Sequence, residues 1–308
     1  MKKKVMHMAN KILNKTFIVL LAVLCILLAG CTGGSRENSN WKTGTQGVVV
    51  QFGQNSPPAE MYEDEDYSLV LEVRNKGSYP TDQEDSLPVD LYFSGFEPNV
   101  VDLGDRASVD VEGSKSQFNP DGGVAYHEEE FGVDELGEEI DSLPQDIRVT
   151  YVYEYETFAP LDVCVDPNPT RNDDDTCTPG AVGGTGGQAA PVGVASVQQE
   201  SLKNKVRFTM RISNLGGGDI LRDDRYVFNV PENEKNVVEV DEVLLGGEDM
   251  DCTPERDLRL NGGAGVLSCT YDGLDEELPA YKTTLSVRLH YWYKDSVSKS
   301  TVIKHNLD

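Results

Sequence analysis

Three runs of carboxylates are the first residues in the chain equipped to do chemistry: Glu63-Asp64-Glu65-Asp66, Glu128-Glu129-Glu130 and Asp173-Asp174-Asp175. Calcium takes six to eight oxygen ligands, and acidic loops can supply them. A strict EF-hand is excluded. The run Asp166-Pro167-Asn168-Pro169-Thr170-Arg171 starts as one would, but it lacks the required glycine, and Cys177 stands at its twelfth position. A looser site remains, with Glu63, Asp64, Glu65, Asp66, Asp173, Asp174 and Asp175 as candidate calcium ligands. No other metal or cofactor is implied, and the commoner origin of such runs is a solvated loop.

Nucleophilic chemistry finds less support. Beyond residue 31 the histidines are His127, His290 and His305, and there is no Gly-x-Ser-x-Gly elbow. Two carboxylates suffice for glycoside hydrolysis, yet with 53 acidic residues no pair stands out. No catalytic residue is assigned, and a non-enzyme is expected. Sugars stack on exposed rings, so aromatic residues are the third candidate. Tyr151, Tyr153 and Tyr155 alternate along one segment, as do Tyr291 and Tyr293 along another. Alternation turns these tyrosines to one face, which is most simply a core. Trp292 points the other way, and it is the residue singled out as an exposed ligand contact.

The cysteines and the N-terminus bear on location. Lys2, Lys3, Lys4, Lys11 and Lys15 precede an apolar run, FIVLLAVLCILL, at residues 17–28. That run has the length of a signal-peptide core and is short for a membrane span. It ends in Leu28-Ala29-Gly30-Cys31, which resembles the lipobox of secreted lipoproteins. The resemblance implies a signal peptide over residues 1–30 and a lipid on Cys31. It also implies a chain held outside the cytoplasm on the outer face of the membrane, where stable anchoring takes more than one acyl chain. Residues 31–45 read as a polar tether.

Setting aside Cys25 and Cys31, four cysteines remain: Cys164, Cys177, Cys252 and Cys269. An even number in an oxidising compartment reads as two disulfides. Three connectivities are open, and adjacent pairing closes the shortest loops, each contributing about 3 kcal/mol by loop entropy.

Charge narrows the partners. Residues 1–30 hold five lysines and no acid, so their removal takes the formal charge from −26 to −31. Such a surface repels phosphate backbones, which argues against nucleic acid.

The elements that must position these groups come as a repeat. YSLVLEVRNKG at 67–77 matches VRFTMRISNLG at 206–216, EPNVV at 97–101 matches EKNVV at 234–238, DELGEE at 134–139 matches DGLDEE at 272–277, and RVTYVYEYE at 148–156 matches SVRLHYWYK at 286–294. The period is near 138 residues, too long for a solenoid and right for duplicated domains. Period-2 patterning makes the anchors half-buried strands. The Asn-x-Gly after the first strand of each unit predicts a turn tolerant of positive φ.

Short strands between turn-rich loops predict an all-β protein of two tandem immunoglobulin-like β-sandwich domains, at 46–165 and 191–308. Residues 166–190, rich in Pro, Asp and Gly, predict a disulfide loop and flexible linker, with the domains as beads able to reorient.

This order of hydrophobic strand, Asn-x-Gly, acidic loop, Leu-Pro and aromatic strand resembles the immunoglobulin-like domains of archaeal envelope proteins, especially CARDB-type adhesion modules. The resemblance covers most of residues 46–308 and rests on Leu71-x-Val73-x-Asn75-x-Gly77 and its counterpart. It implies a binding or structural role at the cell surface, with an envelope protein or glycan as partner and no fixed catalytic residues. The expectation is thus a non-enzymatic adhesion, scaffold or envelope-assembly protein. The alternative is capture of calcium or glycans through acidic loops and exposed aromatics.

Overall fold

A computed structural model describes residues 39–306, apart from 83, 172–175, 181, 183 and 184. The segment read as a signal peptide, Cys31 and most of the stretch read as a tether therefore lie outside the described residues, as do Asp173, Asp174 and Asp175. After a 3₁₀ turn at Ser39–Lys42, the first repeat contains β1 (Val48–Phe52), β2 (Glu60–Tyr62), β3 (Glu65–Asn75), β4 (Ser86–Ser94), β5 (Val101–Asp102), β6 (Arg106–Glu112), β7 (Val124–Val133) and β8 (Ser142–Val165). The second contains β9 (Val192–Leu202), β10 (Lys205–Asn214), β11 (Asp219–Leu221), β12 (Val237–Leu245), β13 (Glu248–Asp249), β14 (Asp251–Thr253), β15 (Asp257–Arg259), β16 (Ala264–Asp272) and β17 (Tyr281–Lys304). No α-helix occurs among the described residues; the chain is an all-β sandwich.

Two four-stranded sheets, β1-β3-β7-β5 and β14-β16-β10-β9, face one large sheet ordered β13-β12-β17-β8-β4-β6 along its main path. The large sheet belongs to both repeats. Its centre is an antiparallel ladder between β8 and β17 in register over the full 24 residues of each, from Ser142↔Lys304 to Val165↔Tyr281. Glu154 pairs with Trp292 at its midpoint. These two residues are 138 positions apart, the period of the repeat, so an approximate two-fold relates the halves through this point.

The long strands are exchanged between the repeats. The C-terminal end of β17 lies against the first repeat: Ile303 pairs with Met61 of β2, and Thr301 Oγ1 donates to Pro58 O at 2.7 Å. The C-terminal end of β8 lies against the second: Thr157 Oγ1 donates to Val192 O at 2.7 Å, and Gln199 Nε2 donates to Cys164 O at 2.7 Å. Every odd-numbered residue of β8 from Gln145 to Val165 is buried, so both small sheets cover the same face of the large one.

This corrects the picture of beads on a flexible linker. One hydrophobic cluster runs through both repeats. The described part of the connecting segment is bonded down as well: Asn204 N donates to Pro167 O, Thr176 N to Ala280 O, Gly186 N to Val194 O, and Ala189 N to Gly44 O. Composition shows that a segment is unable to form a core of its own, but not that a neighbouring body will hold it.

The repeat extends to hydrogen bonds. Asn75 Nδ2 donates to Tyr79 O at 2.7 Å, and Asn214 Nδ2 to Gly218 O at 2.8 Å. Gly77 N donates to Asn75 Oδ1 and Gly216 N to Asn214 Oδ1. The glycine of each Asn-x-Gly is not at positive φ, contrary to expectation. It is there for close approach. A Cβ on Gly77 would overlap the Tyr155 hydroxyl, and one on Gly216 would overlap that of Tyr293. A second correction concerns the EPNVV/EKNVV match. The first run leads into β5 of a small sheet and the second into β12 of the large one, so the two are not equivalent. The DELGEE/DGLDEE match does correspond, each placing a buried leucine, Leu136 or Leu274, ahead of a long strand.

Tyr153, Tyr155 and Tyr291 fill the seam between the small sheets and are fully buried. Their hydroxyls need partners there. Tyr155 donates to Ala189 O at 3.2 Å, while Tyr291 accepts from Val192 N and lies 2.9 Å from Thr157 Oγ1. Desolvation raises the pKa of all three well beyond an ordinary tyrosine, so they stay neutral.

Candidate functional site

The side chains that alternate away from the core form the outer face of the large sheet, and here the repeats differ most. Between Asn75 and β4 lie ten residues; between Asn214 and β12 lie twenty-two, including β11. The extra chain makes a strap over residues 222–236 that folds across the outer face. Val227 turns inward, into a small cluster with Val152 of β8 and Leu221, against which Tyr92, Val230 and Trp292 pack. Lys294 Nζ donates to Val227 O at 3.4 Å. Arg222 reaches Asp257 at 2.6 Å, and Arg259 donates to Glu232 O and Asn233 O, both at 2.9 Å. The strap is thus fixed at both ends and in the middle.

On either side of the buried Val227, Tyr226 and Phe228 keep 40% and 53% of their surface in water. Phe228 meets Tyr92 of β4 edge-on, ring centroids 5.5 Å apart. Two arginines stand over rings. The Arg106 guanidinium lies 5.2 Å from the Tyr92 centroid and bonds Asp90 at 3.0 Å; that of Arg225 lies 5.8 Å from the Tyr226 centroid and is paired with Asp223. The strap and the β4–β6 pair thus carry the same arrangement once each, carboxylate to guanidinium to ring, with Phe228 of the strap packed on the Tyr92 ring. Such a surface combines stacking planes with donors and acceptors side by side.

Farther along β8 and β17 the outer face is ionic. His290 Nε2 lies 2.6 Å from Glu154, Arg288 bonds Glu156 at 2.5 Å, and the Arg288 guanidinium stands over Phe158. The chain enters on the opposite side: Gly44 O accepts from Ala189 N, and a Cβ on Gly47 would sit 2.7 Å from the inward-facing Tyr153 hydroxyl.

The residues marked from sequence fall in several places. Trp292 does alternate away from the tyrosines, but it is half-buried under the strap rather than an exposed contact. The four described acids of the EDED run do not converge. Glu63 is buried and accepts from Leu136 N at 2.8 Å and Asn306 N at 3.1 Å, with His305 Nδ1 at 2.8 Å. Asp64 takes the left-handed corner before β3, and Glu65 and Asp66 point to solvent. Glu128 and Glu130 share one face of β7, while Glu129 turns to the other and bonds His127 and Gly104 N. Among the described residues no group of three or more His, Cys, Asp or Glu is placed to hold a metal. Both disulfides form in the adjacent pairing, Cys164–Cys177 and Cys252–Cys269, the latter directly cross-strand between β14 and β16.

Sequence reasoning missed Tyr92, Tyr226 and Phe228. The available signal was Tyr226-Val227-Phe228, an aromatic-aliphatic-aromatic alternation inside a polar insertion absent from the first repeat. No protein-family model matches the chain, and no curated protein matches it in sequence.

Proposed function

We propose that this chain is a non-enzymatic, lipid-anchored protein of the outer face of the cell membrane, with an adhesion, scaffold or envelope-assembly role. The observation that carries this reading is the exchanged pair of 24-residue strands, which makes two repeats one rigid plate. A rigid plate with its chain entering at the central seam suits presentation of a fixed surface to a partner, because little conformational entropy is lost on docking. The lipobox at Cys31 and the two disulfides fit an oxidising, extracytoplasmic site. Strand order supports kinship with immunoglobulin-like envelope modules of the CARDB type: β1, β3 and β7 lie side by side opposite β4 and β8.

Mass spectrometry of the N-terminal peptide from membranes tests the anchor. A new terminus at Cys31 carrying lipid mass is expected, and a Cys31→Ser chain should lose both. Incubating the purified chain with envelope polysaccharide and peptide tests the absence of catalysis; turnover of either would overturn the non-enzymatic part.

A further inference from the structure

The geometry points to a binding site for a neutral glycan on the strap, built from Tyr226, Phe228 and Tyr92 with the Asp90–Arg106 and Asp223–Arg225 pairs. The inference deepens the proposed surface role by naming the ligand class, and it stands on four observations. First, the strap is an addition to the second repeat, held by Arg222, Arg259 and Lys294, yet it leaves two rings in water while burying the valine between them. A loop whose only task was to cover Val152 and Trp292 has no need of Tyr226 or Phe228.

Second, each guanidinium over a ring is held by a carboxylate, which gathers donor, acceptor and aromatic surface in one place. Sugar hydroxyls both donate and accept, and the axial C–H faces of a pyranose pack on aromatic rings such as the exposed Phe228, so this grouping answers a vicinal diol beside an apolar C–H face.

Third, each pair balances its own charge and Asp224 adds a negative one beside Tyr92 and Arg106, on a protein whose formal charge is −26. An anionic glycan would meet a repulsive field, and a strongly cationic ligand would find better places, whereas a neutral one meets no electrostatic barrier.

Fourth, the patch lies on the face opposite the entry of residues 44–47, so this described stretch before β1 leaves it open.

Affinity electrophoresis of the full-length chain in neutral detergent tests the site, with gels containing mannan, dextran, mixed-linkage β-glucan or, as the anionic counterpart, polygalacturonate. Retardation by at least one neutral polymer is expected. It should persist near 1 M salt, where screening acts within about 3 Å. The double variant Tyr226→Ala/Phe228→Ala should weaken it about tenfold or more with an unchanged urea midpoint. Phe228→Tyr should retain it, and Phe118→Ala, which removes a ring 88% exposed on a remote loop, should leave it intact. No retardation by any neutral polymer, binding to polygalacturonate alone, equal loss in Phe118→Ala, or a protein partner that needs Phe228 and that no glycan displaces would each overturn the site. None of these outcomes bears on the lipid at Cys31, so anchoring and glycan binding fail separately.

Discussion

Replacing Gly77 by alanine puts a methyl group inside the van der Waals surface of the Tyr155 hydroxyl, 2.7 Å from Tyr155 Cζ and 2.8 Å from Ala189 O. None of these neighbours is free to yield. Tyr155 is fully buried, and its hydroxyl accepts from Tyr79 N and donates to Ala189 O, which ties the connecting segment to the seam. Forcing a methyl into such a site costs about 1–3 kcal/mol in strain. Pushing the hydroxyl off its partners adds about 1–3 kcal/mol for buried groups left unpaired. Gly77→Ala is therefore expected to destabilise by about 4 kcal/mol in equilibrium urea unfolding. Tyr155→Phe alone should lose only the hydrogen-bond part. In the double variant the oxygen that clashed is gone, so the combined loss should fall short of the sum by about 1 kcal/mol or more. Gly217→Ala is the control: a Cβ there meets nothing within 4 Å, and a neutral result is expected. Additive losses in Gly77→Ala and Tyr155→Phe would refute close approach as the reason for the motif.

Further predictions follow from the exchanged strands and their attachments. Ile303→Ala, in β17 but packed on Met61 of the first repeat, should cost about 2–4 kcal/mol and lower one cooperative transition for the whole chain; two separate transitions would refute the shared core. Removing Cys252–Cys269 should cost about 3 kcal/mol or more, and more than removing Cys164–Cys177, because Cys269 is itself fully buried; chemical denaturation of the Cys→Ser pairs checks this. Glu63→Gln should lower the melting temperature equally in calcium and in chelator, and a loss confined to calcium would move Glu63 to a metal site.

The same residue gives a pH dependence. Its bond from Leu136 N and its pairing with His305 lower the pKa of Glu63 from 4.5, and Glu63 raises that of His305 from 6.5. The Glu63 contribution is present above about pH 4.5 and is lost as pH falls through its lowered folded value. The His305 contribution is present below about pH 6.5 and is lost as pH rises through its raised folded value. The melting difference between the parent and His305→Ala should be largest between those limits; a difference that grows toward pH 9 would refute it.

Period-2 patterning made most of the core legible, since a strand half in and half out of water writes its burial directly into its sequence. The reading failed where structure depends on chain far away. The repeat anchor marks only residues 148–156 of β8, and beyond it Phe158 and Pro160 interrupt the pattern. Both are outward residues, and Pro160 lies where β8 has a neighbour on one side only, so a missing N–H is tolerated. Trp292 was rightly assigned to the outer face, but nothing near it in sequence announces that residues 222–236 will cover it. The acidic runs misled because sequence gives charge and not direction: Glu63 is buried against backbone donors while its neighbours face water.

The outer-face charges also explain why the repeats pair with each other. By the approximate two-fold, β8 laid against a second β8 would set Glu154 opposite Glu154 and Asp146 opposite Asp162 twice over. Like charges directly opposed destabilise a ladder. Against β17, the same strand finds His290 at Glu154 and Arg288 at Glu156. Inward-facing tyrosines and valines give either pairing a core, so hydrophobic burial does not choose between them. The outward acids of β8 and bases of β17 do, and they favour one repeat meeting the other over two like repeats meeting across copies. A Glu154→Lys/Glu156→Lys chain keeps the core and reverses that preference. Higher-order species in size-exclusion chromatography after refolding are expected from it, and a clean monomer would show that the linker alone enforces the pairing.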